Sequence, residues 1–180
     1  MTLNATANPS HAGMSANPAL TAALAITIIA AATLAGAWFF QLVLDIRPCP
    51  LCLEQRYAYY LALPLALVVA FAAARGAPRQ VVLAGFAVLL LAALANAWLG
   101  GYHAEVEWQF WQGPTDCPGP VADLGSAGTL LQRLDTVKVI RCDEVQWRFL
   151  GLSLAGYNVL ISLLMALIAV WGIVSAKRAV

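Results

Sequence analysis

"LTAALAITIIAAATLAGAWFFQLVL", residues 20–44, runs its whole length without a charged residue. Crossing the hydrocarbon core as a helix takes about 20 apolar residues. Three more charge-free blocks follow, at Tyr57–Ala74, Val81–Tyr102 and Leu150–Val174. Lipid offers the backbone no hydrogen-bond partners, so such blocks are read as helices that satisfy their own N–H and C=O groups. Pro64, inside the second block, is expected to kink that helix rather than end it. Gly36, Gly85, Gly151 and Gly156 are candidates for close helix approach. The expected fold class is an all-α membrane protein, a four-transmembrane-helix bundle with two outward-facing cysteine loops.

Composition agrees with that reading. The 180 residues are 62% hydrophobic and 11% charged, against roughly 45–50% and about 25% in an average globular chain. The length suits one domain. A formal net charge of +1 leaves no electrostatic footprint for nucleic acid.

Loop charges set the orientation. Arg75 and Arg79 lie between the second and third blocks, and Lys177 and Arg178 follow the fourth. Two spans separate these segments, so they share a side, and positive residues mark the cytoplasm. The expected organisation is a disordered cytoplasmic tail at 1–19, spans at about 20–44, 57–74, 81–102 and 150–174, outward loops at 45–56 and 103–149, and a cytoplasmic tail at 175–180. Arg47 and Arg56, and Arg133, Lys138, Arg141 and Arg148 in the longer loop, fall on the outer side against the trend. Trp38, Tyr57, Tyr59, Tyr60, Trp98, Tyr102 and Trp147 gather near the outer boundary and Trp171 near the inner one, where an amphipathic ring anchors at the interface. The tail before the first block lacks a basic n-region and reads poorly as a signal peptide. Met14 is an alternative start.

The four cysteines, Cys49, Cys52, Cys117 and Cys142, all fall in the two outward loops. Outward from a bacterial plasma membrane is an oxidising compartment, and an even count there fits two disulfides. A four-thiolate zinc site needs a second close-spaced pair, but 24 residues separate Cys117 from Cys142. A c-type haem needs His directly after Cys52, where Leu53 stands. No metal is expected. A disulfide within Cys-x-x-Cys closes a tiny loop and removes little unfolded-state entropy, so it is poor scaffolding. Such pairs instead have shifted thiolate character and labile bonds. Arg56 follows Cys52 by four positions, one helical turn, and a helix N-terminus near Cys52 would add to its pull on a thiolate. The plainer alternative for Arg56 is a snorkelling boundary residue.

"CPLCLEQR" between the first two blocks resembles the C-x-L-C-x-x-x-R signature of the bacterial disulfide-bond formation protein B (DsbB) family. "GGYHAEVEWQFWQGPTDC" and "RCDEVQWRFLGLSLAGYN" are similar to that family's segments after the third span and before the fourth. The resemblance covers residues 20 to 174 or so. It implies a membrane oxidoreductase that reoxidises a periplasmic DsbA-like thioredoxin-fold protein and passes the electrons to quinone, ubiquinone first and menaquinone as the alternative. By matching positions, Cys117 would form the mixed disulfide with the partner, and Cys142 would be its loop-disulfide mate. Cys49 would exchange with Cys142. Cys52 would face the quinone as a thiolate and form a charge-transfer or covalent adduct, with Arg56 stabilising the charge. His103 would hydrogen-bond a quinone carbonyl or shuttle a proton; otherwise it is a boundary histidine facing water. Topology points the same way, since a lipid-soluble acceptor needs a cysteine pair pinned at the membrane plane.

Two surrounding segments have weaker readings. Trp108, Phe110 and Trp111 are expected in the interface, and residues 127–140 have the spacing of a short surface helix. No role is assigned to Glu54 or Gln55. The rival reading is a non-enzymatic membrane assembly or sensor protein stabilised by two outer disulfides. It leaves the Cys-x-x-Cys with Arg56 one turn later unexplained.

Overall fold

The computed structural model describes residues 17–113 and 141–178. Cys117, most of the N-terminal tail and the expected surface helix at 127–140 lie outside the described residues. Four long helices, α1 (Pro18–Leu42), α2 (Pro50–Ala74), α3 (Arg79–Glu107) and α4 (Leu154–Arg178), pack as a ring in chain order, α4 closing back on α1. Between α3 and α4 lies a two-stranded hairpin, β1 (Arg148–Phe149) and β2 (Leu152–Ser153). Each helix is long and apolar enough to cross a membrane. Large apolar side chains such as Leu42, Val68, Leu91, Trp98 and Leu167 stand outward on the bundle. A face of that kind belongs in lipid.

The helix ends depart from the expected boundaries for local reasons. α1 begins at Pro18, two residues before the expected span, because Asn17 caps it: its Oδ1 accepts from the N–H groups of Ala19 (3.2 Å) and Leu20 (3.3 Å). α2 starts at Pro50, well ahead of Tyr57, so Cys52 and Arg56 ride on the helix instead of preceding it. Pro50 suits the first helical position, where its missing N–H costs nothing. α3 continues through His103 to Glu107 and stops where Gln109 turns to φ 63°. Residues 150–153, expected within the last span, form the hairpin, because Leu150 and Gly151 both take positive φ and make a tight turn. The Ser153 hydroxyl then accepts from the Gly156 N–H (3.2 Å) as α4 begins. The helix persists to Arg178, through residues expected in the tail.

Between membrane helices there is little hydrophobic drive, so close packing of small residues holds them. The core is accordingly alanine-rich: Ala22, Ala23 and Ala30 of α1 and Ala62, Ala66 and Ala70 of α2 share one buried cluster with Ile26, Phe86, Leu89 and Met165. A Cβ on Gly85 would come within 2.3 Å of Val69 Cγ2, and one on Gly172 within 2.5 Å of the Phe86 ring. Gly36 meets nothing at that range. The bundle has two chemically different ends. Arg75, Arg79, Lys177 and Arg178 mark one, where Asn17 also ties α1 to the Ala73 carbonyl of α2 (3.1 Å). Cys49, Cys52, His103 and Cys142 mark the other.

Candidate functional site

Cys49 is the N-cap of α2. Its Sγ accepts the Cys52 backbone N–H at 3.2 Å and lies 2.7 Å from Cys52 Sγ, both cysteines being free thiols. The N-terminus of α2 thus reaches Cys49 through the Cys52 N–H, and Cys52 itself lies in the first turn of the helix. The Cys49 thiol is held above its ordinary range, first by the hydrogen bond with Cys52 and then by burial. A Cys49 sulfur that keeps its proton can donate it in the hydrogen bond to Cys52.

His103 joins the pair from α3. Its Nε2 faces Cys49 Sγ at 3.6 Å, and its Nδ1 is 2.8 Å from the Gln55 amide nitrogen. His103 is 3% exposed, so it is not a boundary histidine facing water. The ring also meets the backbone of Cys142. Cys142 is buried with Cys49, Leu51 and Val106 in one small cluster, against which Cys52, Leu99 and Tyr102 pack. Cys142 is disulfide-bonded. The longer loop thus returns one cysteine to the foot of α2, although 90 positions separate Cys52 from Cys142 in sequence. Arg141 and Asp143, on either side of it, are joined by a two-point ion pair at the surface.

Arg56 lines the same cavity as Cys52, and its guanidinium is anchored on α1. It donates to Gln41 Oε1 (2.7 Å) and to the Ala37 carbonyl (3.4 Å), and it lies over the Trp38 ring at 5.6 Å. Among the described residues it makes no hydrogen bond to Cys52. Its charge is fixed on α1, at a cavity that Cys52 also lines.

That cavity, about 500 Å³, opens between α1, α2 and α4 at the cysteine end. Cys52, Gln55, Arg56 and His103 form its polar end, and Phe40, Trp147, Phe149 and Ile161 are among its apolar walls. The Trp147 ring holds the mouth together, with Phe40 at 5.0 Å and Phe149 stacked at 5.8 Å. Deeper in the bundle, Tyr59 donates to Asn158 Oδ1 (2.6 Å), and Asn96 donates to Asn158 (3.2 Å) and Ser162 (3.0 Å). Tyr59 is buried in this network and is not an interface anchor. Trp108, Phe110 and Trp111 are exposed, as interface residues are.

Two residues without an expected role belong to the site. Gln55, to which no role was assigned, holds the His103 ring. Glu107, within the stretch expected as outward loop, has a side chain 5% exposed, with Oε1 4.0 Å from His103 Nε2 and Oε2 without a hydrogen-bond partner. Their spacing carried the signal. Gln55 is three residues after Cys52 and Glu107 four after His103, so each shares a helix face with a candidate residue.

Cys49, Cys52 and His103 bring donor atoms within 4.8 Å of one another. Two thiolates on one tetrahedral ion stand about 3.8 Å apart at metal–sulfur distances of about 2.3 Å, wider than the observed 2.7 Å. The arrangement is that of a closely spaced dithiol with a histidine beside it.

Residues 19–172 match the family model for disulfide bond formation protein DsbB. A disulfide bond formation protein B from Azoarcus sp. (strain BH72) is 34% identical over 152 residues, spanning 82% of this chain and 88% of the relative. The protein of the same name from Aromatoleum aromaticum is 31% identical, spanning 86% and 92%. That from Methylococcus capsulatus is 34% identical, spanning 72% and 79%.

Proposed function

The chain belongs to the disulfide bond formation protein DsbB family and is an integral membrane protein, and from that premise we propose that it reoxidises a DsbA-like thioredoxin-fold protein and delivers the electrons to membrane quinone. The cysteine end faces the periplasm in this reading, with both termini in the cytoplasm, as the cluster of Arg75, Arg79, Lys177 and Arg178 at the other end favours.

One observation carries the proposal: Cys52, Arg56 and His103 converge on one cavity whose walls are mostly apolar, with Arg47, Gln146 and Asn158 among the polar residues that also line it. Its size lies within the range of about 300–1,000 Å³ usual for small-molecule sites. A flat ring with carbonyl oxygens and an apolar tail suits a polar end set against aromatic and aliphatic walls. Quinone, when bound there, supplies a two-electron, two-proton acceptor; ubiquinone is the first candidate and menaquinone the second.

The chain's own residues do the rest. A thiol of the partner attacks the loop disulfide at Cys117, forming one S–S bond and releasing Cys142 as a thiolate. Cys142, packed in the Cys49 cluster, attacks Cys49 of a Cys49–Cys52 disulfide, so one S–S bond forms as another breaks and the Cys52 sulfur is freed into the cavity. The partner's second thiol then attacks its own sulfur bonded to Cys117, the partner leaves with its disulfide, and the Cys117 thiolate attacks Cys142, which restores the loop disulfide and frees Cys49 as a thiol. Exchange of this kind needs a thiolate and access to the target sulfur, and folding provides the second. Arg56, fixed by Gln41, offers positive charge to whatever negative charge develops at that end of the cavity.

The test is quinone reduction by the purified protein in detergent, given a reduced DsbA-like protein and ubiquinone or menaquinone, with Arg56→Ala as control. Catalytic turnover that drops about tenfold or more in the variant is the expected result. Absence of turnover with either quinone would return the chain to the scaffold reading.

A further inference from the structure

Glu107 stands apart from every other acidic residue among the described residues. It sits at the last turn of α3 with its side chain 5% exposed, and one carboxylate oxygen has no hydrogen-bond partner. A buried carboxyl with a free oxygen is costly unless the site uses it. Its neighbours come from each element packed against it. His103 Nε2, one turn back on α3, is 4.0 Å away. The Ser153 hydroxyl on β2 and the Arg148 guanidinium on β1 approach from the hairpin. Cys49 and Cys52 on α2 lie beyond His103, whose Nε2 is 3.6 Å from Cys49 Sγ. Glu107 is not among the residues lining the cavity, whereas His103 is.

The histidine is therefore the only one of these groups that faces the dithiol, the carboxyl and the cavity together. Gln55 makes that position adaptable. Its amide oxygen can accept from Nδ1–H or its nitrogen can donate to Nδ1, so either tautomer of the ring is held in place.

We propose that Glu107 is the proton store of this site, taking through His103 the proton that Cys52 gives up and returning it by the same route when the acceptor in the cavity is reduced. The inference rests on the quinone-reducing reading above. Protons and electrons balance. First, Cys52–SH and the Glu107 carboxylate become Cys52–S⁻ and the Glu107 carboxylic acid. Then Cys49–SH, Cys52–S⁻, the carboxylic acid and quinone become the Cys49–Cys52 disulfide, hydroquinone and the Glu107 carboxylate. The sulfurs lose two electrons, which the quinone gains. One of its two protons comes from Cys49 and the other from Glu107. Storing the proton keeps the dithiol ready for transfer without drawing a proton from bulk water through an apolar bundle end. Glu107 acts through His103 and is a positioning residue in this scheme.

The experiment has two arms on the full-length protein in detergent. The first is an infrared difference spectrum, dithiol minus disulfide, of the quinone-free protein. A protonated-carboxyl stretch is expected on reduction in the wild type, absent in Glu107→Gln and restored in Glu107→Asp. The second is turnover against pH. Glu107→Gln is expected to slow quinol formation about 100-fold, the low end for a lost proton-transfer group, with little change in the KM for quinone. The wild-type rate is expected to fall at high pH, where the stored proton is lost to water, and the variant to lack that limb. Trapping of the partner at Cys117 should be unaffected. A wild type without the carboxyl band, a band that survives in Glu107→Gln, or a variant with the wild-type rate and pH profile would each overturn the proposal. A wild type that reduces no quinone sinks the electron-outlet reading instead, and the quinone-free spectrum still decides the fate of the proton store.

Discussion

Two groups of polar side chains are buried in this bundle, and they are built differently. The deeper one, Tyr59, Asn96, Asn158 and Ser162, joins α2, α3 and α4 through hydrogen bonds between side chains that neither titrate near neutral pH nor attack anything. The other, Cys49, Cys52, Gln55, His103 and Glu107, joins α2 to α3, reaches Cys142 and the hairpin, and apart from Gln55 is made of groups that gain and lose protons or electrons. Burial makes a polar group costly in both places. The deep network answers by pairing across three helices. The cluster at the cysteine end leaves a sulfur at the cavity and a carboxylate oxygen unpaired. Each level leaves buried polar atoms unpaired, Asn96 Oδ1 and Asn158 Nδ2 in the deep network and Glu107 Oε2 at the cysteine end; the two differ in chemistry, with amides and hydroxyls in one and a dithiol, a histidine and a carboxyl in the other.

The sharpest way to break that contrast is to exchange the roles. Cys52→Ala is expected to lower turnover by a factor on the order of a thousand or more, since a reacting nucleophile is lost, while thermal unfolding in detergent stays close to wild type. Turnover kept in that variant would remove Cys52 from the mechanism. Asn96→Leu should do the reverse. It deletes bonds to Asn158 (3.2 Å) and Ser162 (3.0 Å) and is expected to cost about 0.6–1.7 kcal/mol, the range for interhelical hydrogen bonds in membranes. Thermal unfolding reads that loss, and quinol formation should hold within about twofold; a collapse of activity instead would mean that the two groups are one unit.

The smallest effect tests the dithiol itself. Cys49 keeps its proton above the usual thiol range chiefly because of Cys52. A raised value means that the neutral thiol persists as pH rises through the range where an ordinary cysteine ionises. In the reduced protein, alkylation should therefore reach Cys52 first. In Cys52→Ala the main cause is gone, so modification of Cys49 should begin at lower pH than in the wild type, as mass spectrometry of alkylated peptides would show. An unchanged onset would assign the effect to burial.

Much of the fold could be read from charge-free length alone, because the lipid requirement makes each such block a helix whatever its detailed sequence. The boundaries could not. Cys49 is a weak-looking cap and Pro50 a nominal helix breaker, and together they start α2 seven residues earlier than Tyr57. Hydropathy averages over such local chemistry. At the site, Cys49, Cys52, Arg56 and His103 stood out by residue type and position. Gln55 and Glu107 did not, because an amide and a carboxylate near a membrane boundary look like ordinary solvated residues until the neighbouring helix covers them. Tyr59 misled for the related reason that an aromatic ring with a polar tip fits either an interface or a buried network. Only the rotation of α2 against α4 decides between them, and the sequence of one helix does not contain it.

The return of Cys142 to the foot of α2 has a consequence for rate. Its sulfur is packed into the apolar cluster that contains Cys49, so an exchange between the two is a first-order event whose translational entropy was settled when the chain folded. Effective concentrations in well-oriented intramolecular reactions reach about 10⁵ M and above, far beyond what any soluble thiol attains in a cell. Small-molecule thiols outside the protein therefore compete poorly at this step. In the proposed relay, electrons entering at the loop disulfide would be steered by geometry toward the membrane rather than leaked to the surrounding solution.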